Sequence, residues 1–167
     1  MRIPGAFLAV LLGLGLTAMV QLPAHAQSTQ SMQGMDMQAP VTHEAGVPAF
    51  HKSLPKEGVK ALPPTLNPEQ FSDPRVRAAY AMAAKVRKVL YQEPCYCHCD
   101  KEMGHTSLLS CYAGTHASIC QTCLMEGVYT YEQTKKGKSP AQIRADIERG
   151  AWKSVNLNDL LLAHQVY

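Results

Sequence analysis

Three thiols alternate along Pro94-Cys95-Tyr96-Cys97-His98-Cys99, with an imidazole between the last two. Cys111 follows alone and then Cys120-Gln121-Thr122-Cys123, so all six cysteines of the 167-residue chain lie between positions 95 and 123. Sulfur confined to one stretch points to one site, holding either a metal or a disulfide cluster. In extended backbone the three alternating side chains share a face with neighbours about 6.8 Å apart at Cα, the outer edge of disulfide reach. Curled into a loop, the same sulfurs can converge on one ion or bridge two. Cys120 and Cys123 stand at the expected start of a helix, where the macrodipole and unpaired amides favour the thiolate that metals need. Cys95, Cys97, Cys99, Cys111, Cys120 and Cys123 are therefore the candidate ligands, with His105 as a seventh or as a partner to one of them. Four ligands in a tetrahedron would suit zinc. Six sulfurs exceed what one zinc needs, and surplus thiolates with His98, Met103 and His105 close by fit Cu(I) better.

Two other readings use the same residues. The cysteines can form a disulfide framework that staples a protein-interaction module. Alternatively, Cys120 and Cys123 can exchange disulfides with another protein, although no strand precedes Ile119 to make a thioredoxin-like setting. Covalent haem attachment is set aside because Leu124, not histidine, follows Cys123. No Ser-His-Asp pattern or glycine-rich phosphate loop is present, and no enzymatic activity is expected.

The elements that must position these thiols begin after an export signal. Arg2, an apolar run from Ala6 to Val20 and Ala24-His25-Ala26 predict a signal peptide over 1–26, cleaved after Ala26. The run is short for a membrane span, and no cysteine near the cleavage site offers a lipid anchor. The expected product is a periplasmic or secreted protein with no membrane span in the mature chain. Its net charge, +3 before the loss of Arg2, is too small for a nucleic-acid footprint.

Residues 27–70, rich in Gln, Ser, Pro and Gly, read as a disordered linker. Within it Met32, Met35 and Met37 could capture Cu(I) through thioether sulfur and pass it to the thiolates or to a metal-accepting or metal-donating protein. The bland alternative is a low-complexity linker.

Residues 71–153 read as a small helical, Cys-rich domain, and 154–167 as a tail with a helical turn or two at Asp159 to His164. The fold class is all-α, with no alternating β pattern of useful length. Asp73-Pro74 starts a helix whose apolar stripe Val76, Ala79, Tyr80, Ala83, Val86 and Leu90 runs to near Gln92, where Pro94 stops it. A short helix over 105–112 turns Leu108, Leu109, Cys111 and Tyr112 inward, and 113–118 reads as a loop. A helix over about 119–136 faces Cys120, Cys123, Leu124, Val128 and Tyr131 to the core and ends at Gly137. Ser139-Pro140-Ala141-Gln142 is a capping box opening a helix that buries Ile143 and Ile147.

Pro94-Cys95-Tyr96-Cys97, Cys99, Gly104-His105, Leu108, Cys111-Tyr112, Cys120-x-x-Cys123, Gly137-Lys138-Ser139 and Ile143-Arg144 together carry a resemblance. From Pro94 to about Trp152 the chain resembles a family of exported bacterial proteins, often lipoproteins, named for a Pro-Cys-Tyr-Cys-Gly-Cys motif. The resemblance implies that the cysteines and His105 act as a set, and it supplies no reaction or substrate. His98 replaces the motif's glycine, which adds a potential ligand and removes the residue best suited to a left-handed turn.

Overall fold

The structure, a computed structural model, describes residues 40–163. The expected signal peptide, its cleavage site and the Met32–Met37 tract lie outside the described residues. The described chain is all-α apart from one hairpin. Strands β1 (Val41–Glu44) and β2 (Val47–His51) pair antiparallel, with Val41 opposite His51 and a register irregularity between Thr42 and Glu44. Gly46 takes the turn at φ 78°.

The hairpin corrects the expectation of an unstructured linker through residue 70. β2 carries Pro48 and buries Ala49, Phe50 and His51 in succession, so no period-two alternation marks it as a strand. Its burial comes from distant partners. The Ala49 N–H donates to Asp100 Oδ2 (3.1 Å), Arg144 lies over the Phe50 ring, and the His51 ring stacks on Tyr91 at 3.9 Å. The proline-rich stretch that follows is also no free connector. It forms 3-10 turns at Gly58–Ala61 and Pro68–Gln70, buries Leu62, and donates from Leu66 N to Tyr112 O at 3.0 Å.

Helix α1 (Pro74–Lys85) opens as its cap predicts, with Asp73 Oδ1 accepting from Arg75 N at 2.8 Å and Pro74 in the first turn. It buries Val76, Ala79, Tyr80 and Ala83, the expected stripe. The helix does not run unbroken to Gln92. Val86 leaves helical geometry at φ −125°, ψ 26°, and α2 (Arg87–Leu90) resumes beyond it. The break lets Arg87 donate to the carbonyls of Leu62 and Pro63 at 3.3 and 3.2 Å, while Leu90 stays fully buried.

The short helices α3 (Cys99–Met103), α4 (Leu108–Ala113) and α5 (His116–Ile119) come next, followed by the long α6 (Gln121–Lys135). α5 occupies the stretch expected to be a loop. α7 (Pro140–Glu148) starts at the predicted capping box, with both reciprocal bonds between Ser139 and Gln142 present. α8 (Asp159–Ala163) ends the described chain. The main core joins α1, α2, α4 and α6 through Tyr80, Leu90, Leu108, Leu109, Tyr112 and Val128. Each buried leucine there contributes roughly 1.5–3 kcal/mol. Ile143 and Ile147 pack with Tyr129 in a smaller second cluster. Two tyrosine hydroxyls tie the core to backbone: Tyr80 donates to Gly114 O at 2.7 Å and Tyr112 to Cys123 O at 2.9 Å.

Candidate metal centre

Pro94 ends helical geometry and the chain curls. The His98 N–H donates to Cys95 O at 3.1 Å, and His98 sits in the left-handed region at φ 60°, ψ 28°. The motif's glycine position therefore keeps a glycine-like conformation although histidine fills it. That turn brings Cys95, Cys97 and Cys99 to one place, which extended backbone would not do. One helical turn later Gly104, at φ 66°, closes α3 and returns the chain so that His105 faces the thiols. The Leu108 N–H then donates to Glu93 O at 2.8 Å, fixing α4 and Cys111 against the base of the loop. Cys120 is the N-cap of α6 and Cys123 lies in its first turn.

All six cysteines are free thiols. The sulfurs of Cys95, Cys97 and Cys123 form a closed triangle with edges of 3.3, 3.4 and 3.5 Å. Cys99 and Cys111 stand 3.4 Å apart, with His105 Nδ1 at 3.3 Å from the Cys111 sulfur. A disulfide bond is about 2.05 Å long, so none of these contacts is one. Sulfurs sharing a tetrahedral ion at metal–sulfur distances of about 2.3 Å would stand about 3.8 Å apart, close to what is seen. The described residues contain four overlapping donor groups, each with its ligand atoms within 4.8 Å of one another: Cys97/His116/Cys120/Cys123, Cys95/Cys111/Cys123, Cys95/Cys97/Cys99 and Cys99/His105/Cys111. These groups can hold a metal ion.

All seven predicted site residues are thus brought together, and an eighth joins them. His116 Nε2 lies 3.5 Å from the Cys97 sulfur and edge-on to the His105 ring. Reading 113–118 as a loop hid it. The available signal was its spacing, four residues before Cys120, which counts only once α5 is known to be helical. Cys120 is less enclosed than expected: it is half-buried, like Cys97, whereas Cys95, Cys99, Cys111 and Cys123 are buried. His98 and Met103 are exposed.

A second residue missed in the sequence positions the loop. Glu126, fully buried one turn beyond Cys123, accepts from the Tyr96 N–H through Oε1 at 2.9 Å. It pins the alternating-cysteine turn to α6. Burial pushes its carboxyl up to about 8, and likewise pushes buried Glu93 up to about 9. Among the thiols, hydrogen bonds from Cys111, Cys123 and Cys95 lower Cys97 and bring Cys99 down to about 3, while burial raises Cys120. The physical pattern is a crowded thiol set that gives up its first protons easily, because neighbouring S–H groups stabilise the first thiolates. Like charge then resists the later losses, and a bound cation removes that resistance.

A family model described as "Protein of unknown function with PCYCGC motif" matches residues 10–154. No curated protein and no solved structure matches the chain. Among the described residues, no helix is long and apolar enough to cross a membrane.

Proposed function

This chain belongs to the family of proteins of unknown function with the PCYCGC motif, and since that family brings no reaction with it, we propose from the residues themselves that the protein binds Cu(I) in the periplasm and carries or scavenges it. The observation that carries this reading is the sulfur triangle of Cys95, Cys97 and Cys123, with edges of 3.3–3.5 Å. Three mutually adjacent soft donors suit a monovalent copper ion, which accepts three-coordination and prefers thiolate. Binding and release, not turnover, is the proposed role. The export signal read over 1–26 supports the periplasmic location. The methionine tract would act as a weak first capture arm, handing Cu(I) to the tighter thiolates or exchanging it with a periplasmic partner protein.

A zinc reading has its own support. Cys97, His116, Cys120 and Cys123 form a closed set of three thiols and one imidazole, the composition of many tetrahedral zinc sites.

The test is anaerobic competition. Reduced full-length protein lacking the signal peptide is titrated with Cu(I) against a chromogenic Cu(I) chelator, and with Zn(II) against a zinc indicator. Tight retention of Cu(I), with displacement of bound Zn(II) by Cu(I), is expected. A reduced protein that takes up neither metal overturns the reading, and one that holds Zn(II) against Cu(I) transfers it to zinc. Deleting residues 30–39, which leaves the hairpin intact, should slow Cu(I) uptake from a weak donor. An unchanged rate would make those methionines a linker.

A further inference from the structure

The eight donors around this centre form four overlapping groups, and we infer that they are built for two ions. The inference rests on the metal-binding reading but not on which metal is native. One set is Cys97, Cys120, Cys123 and His116, all mutually within 4.8 Å. The other is Cys95, Cys99 and Cys111, pairwise within 4.8 Å, together with His105, which is within that distance of Cys99 and Cys111. Each half supplies three thiols and one imidazole, with Cys95 shared between them and His105 close to Cys99 and Cys111.

One four-coordinate ion cannot use all eight donors. A four-coordinate ion seated in the first set leaves Cys99 and Cys111 buried, with the His105 nitrogen 3.3 Å from the Cys111 sulfur and no cation for them to share. A buried thiol alone is an acceptable small apolar group. The His105 nitrogen is hydrogen-bonded to Cys111 and close to Cys99, and those three atoms are a donor group that a cation can take. Charge argues the same way. Six thiolates around one divalent ion leave four negative charges in a largely enclosed site, whereas two ions leave half as many.

The halves are joined through Cys95, whose sulfur lies 3.3 Å from that of Cys97 and 3.4 Å from that of Cys123. A thiolate has lone pairs for two metals, so Cys95 is the bridging ligand. The two sites also differ in access. Cys97, Cys120 and His116 are each partly open to solvent, whereas all three thiols of the other set are buried. The first set is the outer, exchanging site and the second the inner, retained one. Beside the outer set Ile119 is 86% exposed, so the surface there is an open rim.

Cobalt(II) is the probe, because tetrahedral thiolate coordination gives it intense visible bands and a sulfur-to-cobalt charge-transfer band. Anaerobic titration of the reduced full-length protein, lacking the signal peptide, should break at two equivalents, and native mass spectrometry with Zn(II) should show two added ions. The double variant His116→Gln/Cys120→Ser should keep one ion, and so should His105→Gln/Cys111→Ser, each still with tetrahedral bands. Chelator extraction of the wild type should be biphasic, the fast phase vanishing in the His116→Gln/Cys120→Ser variant. A wild-type break at one equivalent, or any number other than two, overturns the inference even if the variants fail to fold. So does either variant's retaining two ions, or losing both while its helical circular dichroism stays intact. A wild type that binds no metal removes the metal-binding reading itself, whereas one that binds a single ion removes only the division into two sites.

Discussion

Gly127 tests whether the packing that holds α4 and Cys111 against α6 and Cys123 is as tight as the structure shows. It sits on α6, where alanine is the better helix former by about 1 kcal/mol. Helix propensity alone therefore predicts that Gly127→Ala stabilises. Packing predicts the opposite. A Cβ built at Gly127 would collide with the Tyr112 hydroxyl and stand 2.5 Å from its Cζ and 2.7 Å from its Cε2. Tyr112 is fully buried and cannot swing to solvent without opening the core. Overpacking of this kind costs about 1–3 kcal/mol, and losing the hydroxyl's bond to Cys123 O adds about 1 kcal/mol. After the propensity gain, the net loss is about 1–3 kcal/mol, a Tm lowered on the order of 4–10 °C. Because Tyr112 follows Cys111 and holds the carbonyl of Cys123, the same variant should bind metal more weakly. The assay is thermal and urea unfolding of the reduced protein, with Tyr112→Leu and the double variant alongside. The double variant should be clearly more stable than the sum of the two singles predicts. A Gly127→Ala protein as stable as wild type, or more so, refutes the reasoning.

Three further outcomes follow from single residues. His98 holds a left-handed conformation that costs a non-glycine residue about 1 kcal/mol, so His98→Gly should raise the unfolding free energy of the reduced protein by up to that amount, seen as a higher urea midpoint. A lowered midpoint would mean that the imidazole contributes more than the strain removes. Burial raises Glu126 to about 8, so its carboxyl favours folding fully below the unfolded value near 4.5 and loses that contribution as pH rises through 8. Glu126→Gln keeps an oxygen for the Tyr96 N–H and should gain stability over wild type between about pH 5 and about pH 9; a gap independent of pH would contradict this. Asp73 is held down to about 2, chiefly by the Arg75 side-chain hydrogen bond, so its cap contributes above pH 4 and is lost as pH falls through 2. Asp73→Ala should cost about 1 kcal/mol at neutral pH, with the deficit closing over that acid range in urea unfolding.

Where the signal was local, the sequence was enough. Asp73-Pro74 and the capping box at Ser139 start helices because a side chain two or three residues away satisfies an orphan amide. The inward faces of Leu108, Leu109, Cys111 and Tyr112 follow from helical spacing, which needs only neighbours along the chain. The six thiols were legible as one set because they are a rare residue type crowded into a single stretch, and His105 joined them through the resemblance to the motif family.

What escaped the sequence depends on partners far along the chain. β2 pairs with β1 and is anchored by Asp100, Arg144 and Tyr91, and nothing in Val47–His51 announces those contacts. The break at Val86 is set by where Arg87 finds the Leu62 and Pro63 carbonyls. His116 and Glu126 belong to the centre only because α5 and α6 meet the cysteine loop, and the four overlapping donor groups exist only in three dimensions. Composition determines which atoms are available to bind. The folded chain decides which of them lie within a few ångströms of one another, because that distance depends on how helices pack and not on how residues are spaced.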